Sequence, residues 1–355
     1  MVETSSPHIW ELLREILWGT PYYGAVTPKD ARELIEFAER QALSGLMIDM
    51  LFKKDVRMEQ DALFEAIGFL EQVKQENKRM NQEVAMFAQL MEISGLDYIV
   101  VKGQTLAALY PEPLVRMPGD IDFLVKDYYV ASKVLKERWG VELPSQMAEK
   151  EIAFSHSGIL YELHTYLIDF GSNKHKQYWE KMLSESLPSS IKIGGVEVKV
   201  MEPTLYAAYI FLHLFFHFVK EGLGLRQLCD WAVMMHNYKN EIDKEKLEKV
   251  LKKVGMYKSF LAFGTILVDK LGMTDFPFVL SEKDRKLQPK IVDDIMYGGN
   301  FGRDKHKVEQ VGFRYKFETM TLTLRNCMRY ITLAPKEMML LPYRRMVVNL
   351  KLLKQ

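Results

Sequence analysis

Cysteine is nearly missing from this chain: Cys229 and Cys327 are the only two among 355 residues. Two thiols so far apart make neither a disulfide framework nor a thiolate metal site, and both are expected to pack as small apolar groups in a reducing, cytoplasmic compartment. Long apolar runs are also lacking. The strongest, Leu205–Val219, is interrupted by His213 and His217 and is too short to span a bilayer, so it reads as a buried helix and no integral membrane segment is expected. The opening Met1-Val2-Glu3-Thr4 has neither the basic start nor the apolar core of a secretion signal. No excess of one charge exists either, with 48 Lys and Arg against 47 Asp and Glu, which removes any global pull toward nucleic acid or membrane. Internal repeats and low-complexity segments are absent. One local skew remains: from Arg303 onward twelve basic residues face four acidic ones, beside the apolar runs Met338–Leu341 and Met346–Leu350. This basic C-terminal tail is read as a solvated face, with membrane-surface or nucleic-acid contact as the lesser reading.

With 48% of its residues apolar, the chain can bury a sizeable core and is long enough for two or three domains. Helical periodicity predicts Ile9–Leu17, Pro28–Phe52 and Asp61–Ile93 in an N-terminal helical region, residues 1–94. The character changes at Gly95. Leu96–Val101 reads as a strand ending at Lys102-Gly103, where a helix over Gln104–Leu109 begins, and Asp120–Val125 reads as a second strand. A helix over Tyr128–Arg138 follows, then extended segments at Ile152–His156 and Ile159–Leu167 and a hairpin strand at Val196–Met201 after Gly194-Gly195. Residues 95–202 therefore form an α+β core with a small mixed sheet. Residues 203–355 read as a helical domain, with helices over Pro203–Lys220, Leu225–Tyr238, Lys244–Val254, Tyr257–Leu271, Leu287–Met296 and Val311–Tyr330.

Residues two apart on a strand share a face, so Asp120 and Asp122 present paired carboxylates while Ile121, Phe123 and Val125 turn to the core. Two carboxylates about 5 Å apart repel by about 3 kcal/mol at an effective dielectric of 20, which a cation between them resolves. Oxygen ligands without a nearby thiolate favour Mg²⁺ or Mn²⁺. Glu162, in the alternating segment Ile159–His164, is the third candidate ligand; adjacent to Asp120–Val125 it would complete the set that aligns an attacking oxygen and a leaving phosphate. The turn at Lys102-Gly103-Gln104-Thr105 would seat a phosphate, because glycine permits close backbone approach and a helix start favours an anion. Lys102 and Arg116 are the cations expected to face a triphosphate.

This order of residues, Lys102-Gly103, a helix ending in Tyr110-Pro111, Arg116, Gly119-Asp120-Ile121-Asp122 and Glu162-Leu163-His164, resembles the uncharacterised nucleotidyltransferase family of the polymerase-β-like superfamily. The resemblance is strongest over about Asp97–His164 and continues more loosely through His213, His217 and Leu225–Asp230. It implies that Gly103 and Gln104 occupy the superfamily's Gly-Ser turn, that Asp120 and Asp122 are its paired metal carboxylates and Glu162 its third, and that a nucleoside triphosphate donates a nucleotide to an unidentified acceptor. Gln104 departs from the usual Ser, so Gln104 or Thr105 must replace the hydroxyl contact.

Blander readings stand beside these. An Asp-x-Asp pair also occurs in surface loops and in glycosyltransferases that hold nucleotide sugars, Glu162 alone can face solvent, and single basic residues are usually surface charges. His213 and His217 share a helix face without the zincin Glu, and read as structural or supporting. His156 and His164 can contact substrate or support a ligand. Arg226 and Asp230 read most simply as a pair within one helix, with Arg226 facing the nucleotide as the other option. The substituted turn motivates the main alternative function, a nucleotide-binding or partner-binding module with little catalysis, such as a toxin–antitoxin component.

Overall fold

The computed structural model describes residues 8–144, 151–300 and 312–352. The opening Met1–Thr4 and the stretch 303–311 at the start of the basic tail lie outside the described residues, as do the side chains of the apolar run Met346–Leu350.

The chain opens with α1 (Ile9–Trp18), α2 (Pro28–Arg40) and α3 (Ser44–Lys53). The single helix expected over Pro28–Phe52 is thus two. The chain breaks at Ala42, whose φ is 55°, and Gly45 packs against the Val115 carbonyl so closely that a Cβ would lie 2.2 Å from it. No Gly or Pro marks the break itself. Buried Gln41 holds it instead, its side-chain oxygen accepting from the Leu225 N–H at 2.9 Å. Next comes α4 (Gln60–Ile93), 34 residues long.

A four-stranded mixed sheet follows, built from β1 (Tyr98–Val100), β2 (Ile121–Val125), β3 (Glu151–His156) and β4 (Ile159–His164), in the spatial order β1-β2-β4-β3. The central pair β2 and β4 is parallel; the two outer pairings are antiparallel. Between these strands lie α5 (Gln104–Ala107), shorter than expected, a 3-10 turn at Pro113–Val115, and α6 (Tyr128–Trp139). Strand β4 stops at His164 rather than Leu167, and α7 (Asn173–Glu185) follows. Helix α7 escaped the sequence reading because only His175 and Trp179 of its thirteen residues are buried, leaving little periodic apolar signal. A separate hairpin, β5 (Ser189–Ile193) and β6 (Val196–Val200), turns at Gly194 and Gly195, whose φ values of 57° and 83° suit a tight two-residue connection.

The remainder is helical: α8 (Pro203–Lys220), α9 (Leu225–Asn237), α10 (Lys244–Lys253), α11 (Tyr257–Asp269), α12 (Glu282–Arg285), α13 (Gln288–Gly298), α14 (Gly312–Arg329) and α15 (Pro335–Leu352). The fold is α+β, as the alternation and periodicity predict. Among the described residues, no helix is long and apolar enough to cross a membrane.

Two cores organise the protein. The smaller lies under one face of the mixed sheet, where Ile121, Phe123 and Val125 of β2 and Ile159, Tyr161 and Leu163 of β4 meet Val84, Phe87 and Met91 of α4. The Phe87 and Phe123 rings are 4.2 Å apart. The larger core joins α1–α3 to the helices from α8 onward. Since side chains alternate along a strand, the residues between those core positions point to the opposite sheet face, toward α8 and α9.

Candidate functional site

The parallel register of β2 and β4 places Ile121 opposite Tyr161, Asp122 opposite Glu162 and Phe123 opposite Leu163. Asp122 and Glu162 therefore share one sheet face, and His164, two residues beyond Glu162, joins them. The expected Asp120, Asp122 and Glu162 all line one cavity of about 420 Å³ between the sheet and helices α8 and α9, within the ~300–1,000 Å³ range of small-molecule sites. His164 Nε2 lies 2.8 Å from Asp122 Oδ1 and 3.7 Å from Glu162 Oε2. Ligand atoms of Asp122, Glu162 and His164 fall within 4.8 Å of one another.

Asp122 is fully buried, with Lys102 Nζ 2.8 Å from Oδ1. Its Oδ2 is buried and accepts no hydrogen bond. An ionised carboxylate oxygen sealed from water without a partner is costly, and a cation satisfies it. Burial alone would push the Asp122 carboxyl up, yet Lys102 and His164 together hold it below the usual carboxylate range. Glu162 goes the other way: burial, then the neighbouring Asp122 and Asp120, push it up to about 8. Burial and Asp122 raise Asp120 as well. For Lys102, burial opposes the ammonium, but Asp122 overcompensates and keeps it firmly charged. These opposed shifts mark a site with surplus negative charge.

Gly103 has φ 62° and ψ −114°, and a Cβ there would come 2.8 Å from the Asp120 carbonyl oxygen, so only glycine fits against the start of β2.

The residues following the corner point elsewhere. Gln104 is buried and donates to Asn81 Oδ1 on α4 at 2.6 Å, and the Thr105 hydroxyl lies 2.7 Å from that of Tyr206 and donates to the Lys102 carbonyl. Neither side chain lines the cavity, although Lys102 and Gly103 do.

The sequence matches, over residues 27–271, the family described as "Uncharacterised nucleotidyltransferase". That match spans about two thirds of the chain. The protein belongs to this nucleotidyltransferase family. No curated protein matches it. Among solved structures it is similar to an antigenic nucleotidyltransferase-like protein from Paracoccidioides brasiliensis, at 14% identity over 58% of this chain and 95% of that one, with a TM-score of 0.34, a likeness too slight to add to the argument.

The far wall of the cavity is helical. His213, His217 and Lys220, four and three residues apart, form a part-exposed stripe on α8, which is otherwise buried beyond its first residue, Pro203. His213 Nε2 lies 3.5 Å from Lys102 Nζ, and the two histidine rings are 4.4 Å apart. His156 sits on the opposite face of the sheet, stacked on Trp139 at 4.0 Å with its Nδ1 3.1 Å from Glu83.

Arg116 and Arg226 both line the cavity, with different partners. Arg116 is buried and makes a bidentate pair with Asp230, Nε to Oδ1 at 2.7 Å and Nη2 to Oδ2 at 2.8 Å, while Tyr110 donates to the same carboxylate. The simple reading of Arg226 and Asp230 as a pair within α9 is thus replaced by a bridge from Asp230 to the sheet-bearing part. Arg226 donates to the Met117 carbonyl at 3.3 Å, and its Nε is buried without a partner.

One residue of the site went unnoticed in the sequence. Glu151 lies directly opposite His164 across the antiparallel β3–β4 pair, with Oε2 3.3 Å from His164 Nδ1. Its alternation with Ala153 and Ser155 places it on the site face, but only the register reveals its neighbour.

Proposed function

We propose that this protein transfers a nucleoside monophosphate from a nucleoside triphosphate to an acceptor hydroxyl, with release of pyrophosphate. The observation that carries the reading is Asp122: its buried, unpartnered Oδ2 stands beside Glu162 and Asp120 on one wall of the cavity. Asp120, Asp122 and Glu162 would hold Mg²⁺ or Mn²⁺, which when bound neutralises phosphate charge and aligns attacking and leaving oxygens. Lys102 and the Gly103 corner would receive the polyphosphate, and the unpartnered guanidinium edge of Arg226 offers a further anion contact. Arg116 serves chiefly to fix the floor of the cavity through Asp230.

Glu162 would also help to take the acceptor's proton; burial and the neighbouring carboxylates hold it up to about 8, so the bound cation is what would keep it ionised at neutral pH. The acceptor oxygen forms a bond to the α-phosphorus as the bond to the bridging oxygen breaks, and pyrophosphate carries away that electron pair. Both cysteines are buried in the helical core, in keeping with a cytoplasmic setting. Of the basic tail, Arg329 lies 3.0 Å from Asp294 and Arg344 3.1 Å from Asp169, so part of its charge serves the fold rather than a nucleic-acid or membrane contact.

The orientation of Gln104 and Thr105 away from the cavity favours the second reading, a nucleotide-binding or partner-binding module with weak turnover. One experiment separates the two. Wild type and Asp122→Asn are incubated with each of ATP, GTP, CTP and UTP and Mg²⁺ or Mn²⁺, following pyrophosphate and the intact masses of the protein and candidate partners. Pyrophosphate from wild type only, with a nucleotide-sized mass gain on an acceptor, supports transfer. Tight cation-dependent binding without pyrophosphate supports the module, and equal turnover by both proteins removes Asp122 from the chemistry.

A further inference from the structure

Nucleotidyl transfer at this site asks only for hard oxygen ligands, yet an imidazole is buried among them. His164 is 2% exposed, and β4 directs it to the same face as Glu162. Its Nε2 is 2.8 Å from Asp122 Oδ1, close to the roughly 3 Å that separates neighbouring donor atoms around one six-coordinate cation. On the other side of the ring Nδ1 is buried without a hydrogen bond, 3.3 Å from the Glu151 carboxylate that the β3–β4 register sets opposite it. A histidine that binds a metal through one nitrogen characteristically presents the other N–H to a carboxylate, which sets its tautomer and its orientation.

Without a cation, Nε2–H donates to Asp122 Oδ1 and helps hold that carboxyl low. A cation entering between them would take the Nε2 lone pair, leaving the ring proton on Nδ1, the side that faces Glu151. Independently of the imidazole, the buried, unpartnered Oδ2 of the same carboxylate is suited to a cation.

We infer that His164 supplies a nitrogen ligand to this centre and makes it select a first-row transition cation, such as Mn²⁺, over Mg²⁺. The inference rests on the proposed metal site and deepens it by assigning the class of ion. Magnesium binds imidazole poorly and keeps oxygen or water ligands, whereas first-row transition ions accept nitrogen readily. Glu151 acts as a positioning residue, its carboxylate placed to accept the Nδ1 proton's hydrogen bond once the cation holds Nε2.

The test uses the full chain and Mn²⁺ alone. Pulsed electron paramagnetic resonance of the bound ion reads directly whether a nitrogen is coordinated, without reference to turnover. The expected result is a ¹⁴N coupling that becomes a ¹⁵N coupling when the protein is grown with ¹⁵N-histidine, that disappears in His164→Gln, and that survives in His213→Gln. Competition should require at least about tenfold more Mg²⁺ than Mn²⁺ to half-empty the wild-type site, and that preference should shrink about tenfold in His164→Gln. Bound Mn²⁺ without nitrogen coupling in wild type would overturn the role of His164 while leaving the carboxylate site standing. A coupling that persists in His164→Gln, or vanishes in His213→Gln, would assign the nitrogen elsewhere and overturn it too. Absence of any bound Mn²⁺ would remove both the inference and the metal site. Should His164→Gln fail to fold, the labelled wild type with His213→Gln and His217→Gln, the other two cavity histidines, still decides the matter.

Discussion

Asp122 and Glu162 are direct neighbours across a parallel strand pair, one carboxyl held low by Lys102 and the other driven up by burial and by Asp122 itself. The pair sets an unusual dependence of stability on pH. Glu162 in the folded chain keeps its proton up to about pH 8, whereas in the unfolded chain it loses it near the ordinary value of about 4.3. Between those limits the folded state binds more protons, so stability falls as pH rises. Without added cation, unfolding free energy should fall by on the order of 1–3 kcal/mol from pH 5 to pH 8, seen as a lower melting temperature, and Glu162→Gln should flatten that slope. A parallel decline in both proteins would deny Glu162 the cause. Asp122 acts in the opposite sense, its contribution being lost only as pH falls through the acidic range below about 4.

Arg116 and Asp230 join the sheet-bearing part to α9 through a buried bidentate pair. Removing either partner leaves a charge stranded in the interior. Arg116→Met and Asp230→Asn should each cost about 3–5 kcal/mol in urea unfolding, and the double variant should cost clearly less than their sum. Additive losses would mean that the two groups are stabilised separately.

At Gly103 the geometry forbids a side chain, with a positive φ and the Asp120 carbonyl 2.8 Å from any Cβ. Gly103→Ala is expected to lose about 1–3 kcal/mol of stability and to weaken nucleotide binding by displacing Lys102 from Asp122. Calorimetry with the preferred nucleotide checks the second effect. Unchanged stability and affinity would show that the corner yields freely.

Fully buried Glu337 of α15 accepts from the Gly171 N–H at 2.6 Å, the Ser172 N–H at 3.2 Å and His175 Nδ1 at 2.6 Å. Arg344 of the same helix donates to the Phe170 carbonyl and pairs with Asp169, which lines the cavity. Glu337→Gln should therefore cost about 2–3 kcal/mol and raise hydrogen exchange across residues 167–175 selectively. Uniform exchange changes across the chain would place its effect elsewhere.

Much of the fold could be read locally. Alternation identified β2 and β4 and the face that carries Asp120, Asp122 and Glu162, because strand periodicity is a property of neighbouring residues. Their parallel adjacency could not be read, since α6 and β3 intervene and register depends on contacts far apart in sequence. The same limit explains Arg116 and Asp230. Helical spacing suggested a partner four residues from Asp230, whereas the true one is 114 positions away. Gln104 or Thr105 was expected to replace the superfamily's Ser at the phosphate, but the Gln104 amide donates to Asn77 and Asn81 and the Thr105 hydroxyl meets that of Tyr206, partners no local pattern links to them. Helix α7 was lost to polarity, and the break between α2 and α3 to the absence of a glycine or proline where the chain turns.

Helix α4 runs for about 50 Å from the larger core, where Ala66 and Leu70 pack, to the smaller, where Met80, Val84 and Phe87 do. Asn77 lies between them, donating to the Leu114 and Arg116 carbonyls. A rod shared in this way ties the fate of one half to the other. Unwinding it at either end strips both of a wall, so on heating the molecule should come apart in a single step, seen as one calorimetric peak rather than two.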